Sequence, residues 1–405
     1  MKISQKARNA IFLGTLCSIS YFAVYIARNV LGAVKTGMYL DNFTESYIGM
    51  IEAVYLAAYA IGQLINGALG DRIKAKYMIC AGLLFAGISN IVFTNIATSQ
   101  TLAMIAYACT GFFLSMIYGP MTKVVSESTD LIYATRCSLG YTFSSFFASP
   151  MTGILAMFLS WQSTFTVSSI ALIAMAIICF GFFLLFEKKG IVKYPKRQKT
   201  KNVSGSTVGI RGLIKHKIIK FSMVSIITGV IRTSLIALLT TYFMYHLSFT
   251  ESESKAIFST VTIFISFTAF IAIFVYERLL KKDLQLCVFI FFTIAAIFFT
   301  ITYFATNPIV NIVLIVIAIM ASNSAASALW SIYCPSLCDT GLVSSATGFL
   351  DFLSYMASAI ASLAFGFIIE SIGCGLVILI CIVLMVIGVV ICLPDVLKKK
   401  AQNNN

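Results

Sequence analysis

Two arginines stand inside long apolar stretches. Arg28 sits in the run Tyr21-Phe-Ala-Val-Tyr25-Ile-Ala-Arg28, and Arg232 in Gly229-Val-Ile-Arg232-Thr-Ser. Holding an arginine at the centre of a bilayer costs on the order of 3 kcal/mol by insertion scales, so such a residue faces water, a ligand or an acidic partner. Only Glu52 and Asp351 offer themselves as partners deep in apolar spans. Two guanidiniums can instead clamp a phosphate or a carboxylate, because each planar fork gives paired N–H bonds to two oxygens. Glu52 and Asp351 then leave two alternatives open. They are either gate ion pairs or carboxyl groups that carry a proton with the anion.

Helical spacing gathers polar and aromatic residues around these charges. Tyr21, Tyr25, Arg28 and Gly32 recur at i, i+4, i+7 and i+11, one face of a helix. Glu52, Tyr55, Tyr59, Gln63 and Asn66 form a second stripe; Asn323, Ser327 and Ser331 a third; Gly348, Asp351, Tyr355, Ser358 and Ser362 a fourth. One polar stripe is often only the hydroxyl and amide glue of helix packing. Four stripes around two arginines read as the lining of a solvated cavity. No nucleophile–base pair, metal-ligand cluster or glycine-rich phosphate loop emerges, which argues against an enzyme and against nucleotide-driven chemistry. The expectation is no catalytic site, no metal site and no cofactor.

The elements that must position these residues follow from composition. Of 405 residues, 59% are hydrophobic and 11% charged, and mean hydropathy is +0.94. A water-soluble domain needs a charged exterior, and this chain lacks the residues to make one. Apolar runs near the ~20 residues that cross a bilayer recur throughout. Twelve spans are expected, near 10–34, 47–69, 77–96, 102–126, 137–159, 164–186, 218–245, 256–276, 284–304, 309–333, 343–368 and 372–393. They are helices, because a spanning segment must satisfy its backbone polar groups internally. The fold class is an all-α membrane protein of two six-helix bundles.

Charge placement gives topology. Net charge is +14, with basic residues in alternate loops: Lys2, Lys6 and Arg8; Arg72, Lys74 and Lys76; the stretch from Lys188 to Lys220; Arg278, Lys281 and Lys282; Lys398 to Lys400. The opposite loops hold Lys35 and Lys255. This positive-inside bias predicts a multi-pass cell-membrane protein with both termini in the cytoplasm. A nucleic-acid surface would set its charges on one face beside stacking aromatics, so no nucleic acid is expected. None of the eleven cysteines forms a C-x-x-C pair, Cys334 and Cys338 coming nearest, and they read as small buried hydrophobes. No small-residue cleavage site follows the first span, which therefore reads as an uncleaved anchor.

A polar, basic stretch divides the chain into a bundle at 1–187, a cytoplasmic linker at 188–217 and a bundle at 218–405. The halves echo each other: Asp71-Arg72 follows the second span and Glu277-Arg278 the eighth, while Arg28 and Arg232 lie in the first and seventh. Parallel six-helix repeats of this kind bind substrate at the repeat interface near mid-membrane. Gly67-x-Leu69-x-Asp71-Arg72 with Lys74 behind it resembles the loop signature of the major facilitator superfamily, departing from it after the arginine, at Ile73 and Lys74. Trp161-x-x-x-Phe165 resembles a second, weaker signature. That resemblance implies a cytoplasmic gate at Asp71 and Arg72.

The first-helix pattern Tyr21-x-x-x-Tyr25-x-x-Arg28 is similar to that of the organophosphate:phosphate antiporters, which include glycerol-3-phosphate and hexose-phosphate transporters. The resemblance implies that Arg28 and Arg232 bind substrate with Tyr21, Tyr25, Tyr59, Gln63, Tyr118 and Tyr355, and Thr241-Tyr242 falls at a matching distance from Arg232. Gln63 stands where the family carries a lysine, Phe147 where it carries a histidine, and Ala237 and Thr262 where it carries acidic groups. His216 and His246 lie near span ends and do not replace that histidine. The expected function is secondary transport of a small organic anion, a phosphate ester exchanged for inorganic phosphate. Proton-coupled symport of a sugar acid or other carboxylate is one alternative. Sensing of a sugar phosphate without transport is another. A two-bundle chain needs no second copy, so a monomer is expected.

Overall fold

The computed structural model describes residues 4–41, 43, 45–194, 209–236, 238–280 and 283–403. Most of the expected linker, at 195–208, lies outside the described residues, as do Lys281, Lys282 and Ala237. The described chain is helical from end to end. Six long helices come first: α1 (Gln5–Leu40), α2 (Glu45–Gly70), α3 (Ala75–Ile96), α4 (Gln100–Ser128), α5 (Leu131–Phe158) and α6 (Trp161–Lys188). The second set is more broken. It comprises α7 (Ile210–Lys215), α8 (Ile218–Gly229), α9 (Leu239–Tyr245), α10 (Glu251–Ser266), α11 (Thr268–Phe274), α12 (Leu284–Phe304), α13 (Pro308–Ala328), α14 (Cys334–Ser336), α15 (Val343–Ser371) and α16 (Cys374–Asn403).

Local chemistry sets several starts. Ser160 accepts a hydrogen bond from the Ser163 amide to open α6. Thr250 and Glu253 make a reciprocal capping box at α10. Asn307 caps α13, with Pro308 in the first turn, where a missing N–H costs nothing.

Among the described residues, eleven segments are long and apolar enough to cross a membrane. The helix over the fifth expected span, α5, is not one of them, although its 28 residues would reach. It carries Arg136 and a run of hydroxyl residues, including Thr135, Ser138, Tyr141, Thr142 and Ser145, which lowers its apolarity. Those hydroxyl residues are buried against other helices, so polarity costs this helix little. Met157, Ile177, Ile263, Ile360 and Val390 are exposed. Such apolar faces are stable where lipid covers them. The chain is a multi-pass membrane protein.

Contacts divide the chain into two compact units: Met1–His216 with Cys334–Phe352, and Lys217–Tyr333 with Leu353–Asn405. In the first unit α1 packs on α5 and α6, α2 on α4, and α3 on α4 and α6. Lys74 and Lys76, at the start of α3, both pair with Glu187 near the end of α6, Lys74 at 3.1 Å. In the second unit α12 packs on α13 and α16, α11 on α13, and α8 on α13 and α16. Its helices are interrupted by wide π-type turns at Val230–Leu235, Val275–Leu279 and Leu329–Tyr333.

Candidate functional site

In the first unit the tyrosines converge on Arg28. Its guanidinium carbon lies 4.5 Å from the centre of the Tyr59 ring and 5.2 Å from that of Tyr25. Both are within the ~6 Å at which a ring face attracts a cation. Tyr25 sits one turn before Arg28 on α1 and Tyr59 comes from α2, so two helices must pack to build the arrangement. The N–H edge of a guanidinium is the part that reads phosphate or carboxylate geometry.

The aromatic cluster extends outward from there. Tyr21 lies 5.0 Å from Tyr25, 5.4 Å from Tyr118 of α4 in a stack, and 5.8 Å from Tyr141 of α5. Tyr55 stacks on Tyr59 at 6.3 Å and packs on Tyr107 at 4.8 Å. Tyr21, Tyr25, Tyr59 and Tyr118 therefore belong to one cluster about Arg28. Gln63, one turn beyond Tyr59 on α2, is fully buried, and neither end of its amide has a hydrogen-bond partner. Asn66 differs: its amide donates to Ser115 Oγ at 2.7 Å. Asp351 is buried, near enough to Tyr21 to act on it electrostatically, and Glu52 is half-buried near Tyr107.

Sequence reasoning missed Tyr107 and Tyr141, both buried at the heart of this cluster. A usable signal was present in α5, where Ser138, Tyr141, Thr142 and Ser145 share a polar face. Phe147 lies off that face, 43% exposed and stacked on Phe22 at 6.2 Å.

Asp71 has a sharply defined environment. Its two carboxylate oxygens accept the backbone N–H groups of Ser344 at 3.0 Å and Ser345 at 2.8 Å. These are unsatisfied donors of the first turn of α15, where the helix dipole also favours a negative charge. Lys123 of α4 donates to the Gly70 and Asp71 carbonyls at 3.1 and 3.0 Å, which fixes the turn that carries the carboxylate. The approach is possible because two glycines meet. A Cβ on Gly67 would stand 2.9 Å from the Ser344 carbonyl, and one on Gly348 would stand 2.9 Å from the Gly67 Cα. Arg72, the next residue, is exposed. Trp161 donates through Nε1 to Asp41 at 2.6 Å and packs edge-on against Phe165 at 6.3 Å, tying the start of α6 to the end of α1.

In the second unit Arg232 is half-buried on the π-type turn at Val230–Leu235. Such turns widen a helix and recur at functional sites. The flanks are pinned by serines of α15. Ser358 donates to the Gly229 carbonyl at 2.9 Å, and Ser234 donates to the Ser358 carbonyl at 2.7 Å. Tyr355 is buried three residues before Ser358. On α13, which packs against this turn, Asn323 is fully buried with both amide ends unpartnered, and the Ser327 hydroxyl is likewise unpartnered. Tyr242 donates to Asn311 at 2.7 Å and so serves packing. Thr262 bonds back to the Phe258 carbonyl of its own helix at 3.0 Å. His246 lies against the Tyr242 ring at 4.9 Å, its pKa lowered by burial, while His216 pairs with Asp339 at 3.1 Å within the first unit.

The family model of the Major Facilitator Superfamily matches residues 17–362. The chain belongs to this superfamily. Among relatives, it is similar to the "Glycerol-3-phosphate transporter" of Bacillus subtilis (strain 168), with 23% identity over 169 residues, 40% of this chain and 38% of that protein. It is also similar to the "Probable hexose phosphate transport protein" of Chlamydia trachomatis serovar D, with 21% identity over 165 residues, 40% of this chain and 36% of that protein. The matched stretch thus spans less than about two fifths of the length of these relatives. Among solved structures, a bacterial homologue of the iron transporter ferroportin in an outward-facing state gives a TM-score of 0.76 at 11% identity, covering 94% of this chain and 98% of that one. A proton:xylose symporter gives 0.73 at 13% identity, covering 95% of each. At these identities the likeness is one of fold alone.

Proposed function

We propose that this member of the superfamily is a secondary transporter of a small phosphorylated organic anion, which it exchanges for inorganic phosphate by alternating access. The observation that carries the reading is Arg28, within cation–π reach of both the Tyr25 and Tyr59 rings on a membrane-spanning helix. An arginine is kept there at a cost of a few kcal/mol only if something negative repays it. Arg232 is the second group that holds the anion, in a half running from 218 to 405 that mirrors the half at 1–187 across the linker at 188–217. The relatives named for glycerol-3-phosphate and hexose phosphate support the phosphate class. Positive-inside charge supports a cytoplasmic position for both termini, and in this reading the chain works as a monomer.

Alternating access needs an element with two arrangements, biased by ligand. Asp71 holding the first turn of α15 is that element in this reading: the carboxylate releases the two N–H groups as the cytoplasmic side opens, with Arg72 beside it at the surface.

A second reading has an observation of its own. Gln63 replaces a cation with a neutral amide, and Asp351 is a buried carboxyl group close to Tyr21. That combination suits a singly charged carboxylate taken up with a proton. A thermal-shift screen of the purified protein separates the two, because a ligand that binds only the folded state raises its apparent stability. Phosphate and sugar phosphates raise the melting temperature in the first reading. A shift with sugar acids alone supports the second, and binding without flux in liposomes identifies a sensor.

A further inference from the structure

Away from the tyrosine cluster, a groove of about 380 Å³ runs between α1 and α5. Small residues such as Ala10 and Gly14 line it beside the half-exposed side chains of Ile11 and Ile19, so the groove opens towards the face where lipid lies. Tyr133 and Arg136 complete the lining from α5, and Arg136 is exposed. The same end of the helix pair carries Lys6 and Arg8, and Lys6 pairs with Asp130 at 3.1 Å across α1 and α5. Lys6, Arg8 and Arg136 give this end of the helix pair a basic character beside Asp130. By the positive-inside pattern this is the cytoplasmic end, the side on which basic pockets between membrane helices take anionic lipid headgroups.

We propose that this groove binds an anionic phospholipid, with an acyl chain along the slot between α1 and α5 and the headgroup phosphate on Arg136. The apolar slot selects an alkyl chain over a water-soluble anion, since a free phosphate would gain nothing from Ile11 and Ile19. The guanidinium selects the phosphate diester over a headgroup whose positive charge already pairs with its own phosphate. Tyr133 stands beside Arg136 at the interfacial level, where aromatic side chains anchor. This site is separate from the anion site around Arg28, and neither depends on the other.

The test measures lipid binding to the full chain in detergent, by native mass spectrometry and by thermal shift, with phosphatidylglycerol, phosphatidylcholine and inorganic phosphate as probes. Phosphatidylglycerol binds and stabilises, phosphatidylcholine does so more weakly, and inorganic phosphate does nothing at this site. R136Q weakens phosphatidylglycerol binding about fivefold, the effect of one basic residue near a lipid headgroup. Thr15→Trp, which fills the groove from an exposed position, weakens binding independently of charge, so the proposal stays testable if one variant folds poorly. Equal binding of the two lipids overturns it, as does undiminished phosphatidylglycerol binding in either variant. A phosphate-induced shift that R136Q abolishes overturns the assignment to lipid.

Discussion

At the scale of single residues, the rings around Arg28 make a prediction that charge alone would not. Tyr59→Leu keeps the charge and much of the volume but removes a ring face from the guanidinium. A desolvated cation–π contact contributes about 1–2 kcal/mol. Binding of a phosphate ester, read by calorimetry, should weaken roughly fivefold to thirtyfold, while Tyr59→Phe stays within a factor of about two because its ring is intact. A leucine variant with wild-type affinity would remove the Tyr59 ring contact from the site. The carboxyl groups call for a different readout. If Asp351 or Glu52 carries a proton, Asp351→Asn or Glu52→Gln flattens the pH dependence of uptake. Unchanged profiles in both leave them as gate or packing groups.

At the scale of elements, the Asp71 contact argues that the start of α15 is held by a carboxylate 273 residues earlier in the chain. Asp71→Ala leaves two N–H groups without their acceptor, a loss of about 1–3 kcal/mol. The expected outcome is a melting temperature lower by a few degrees with Arg28-dependent binding intact. An unchanged melting temperature would show the contact to be energetically idle.

The elements also show what sequence can and cannot reveal. Spans were legible because lipid imposes length and apolarity on each segment alone, and the described helices fall on all twelve expected positions. Tyr21 and Tyr25 were legible because helical spacing aligns them with Arg28 on one helix, whereas Tyr59 was reached through its own stripe on the second span and the family resemblance. Tyr107 and Tyr141 were not, since which faces of α4 and α5 turn inward is decided by packing. The π-type turn under Arg232 has no marker in its residues, and the meeting of Gly67 with Gly348 joins segments far apart in the chain. The Asp71 signature was visible, yet a loop carboxylate does not announce that its partner is backbone.

At the scale of the whole molecule, the account rests on orientation in the membrane and on exchange across it. Among the described residues Cys338 is the exposed cysteine, in the segment between α14 and α15. In the proposed positive-inside orientation it lies in the cytoplasm. A membrane-impermeant maleimide should leave Cys338 unlabelled in intact cells and label it after permeabilisation. Labelling of intact cells would invert the topology. The central claim, an organic phosphate held on Arg28 and exchanged for phosphate, is met most directly in proteoliposomes preloaded with labelled inorganic phosphate. External glycerol-3-phosphate or hexose phosphate should accelerate release of the label. Arg28→Lys should slow that release by about 10- to 100-fold, because a point charge replaces a planar fork in charge-assisted hydrogen bonding. Label release that ignores external organic phosphate, or that proceeds at the wild-type rate in Arg28→Lys, would contradict the account.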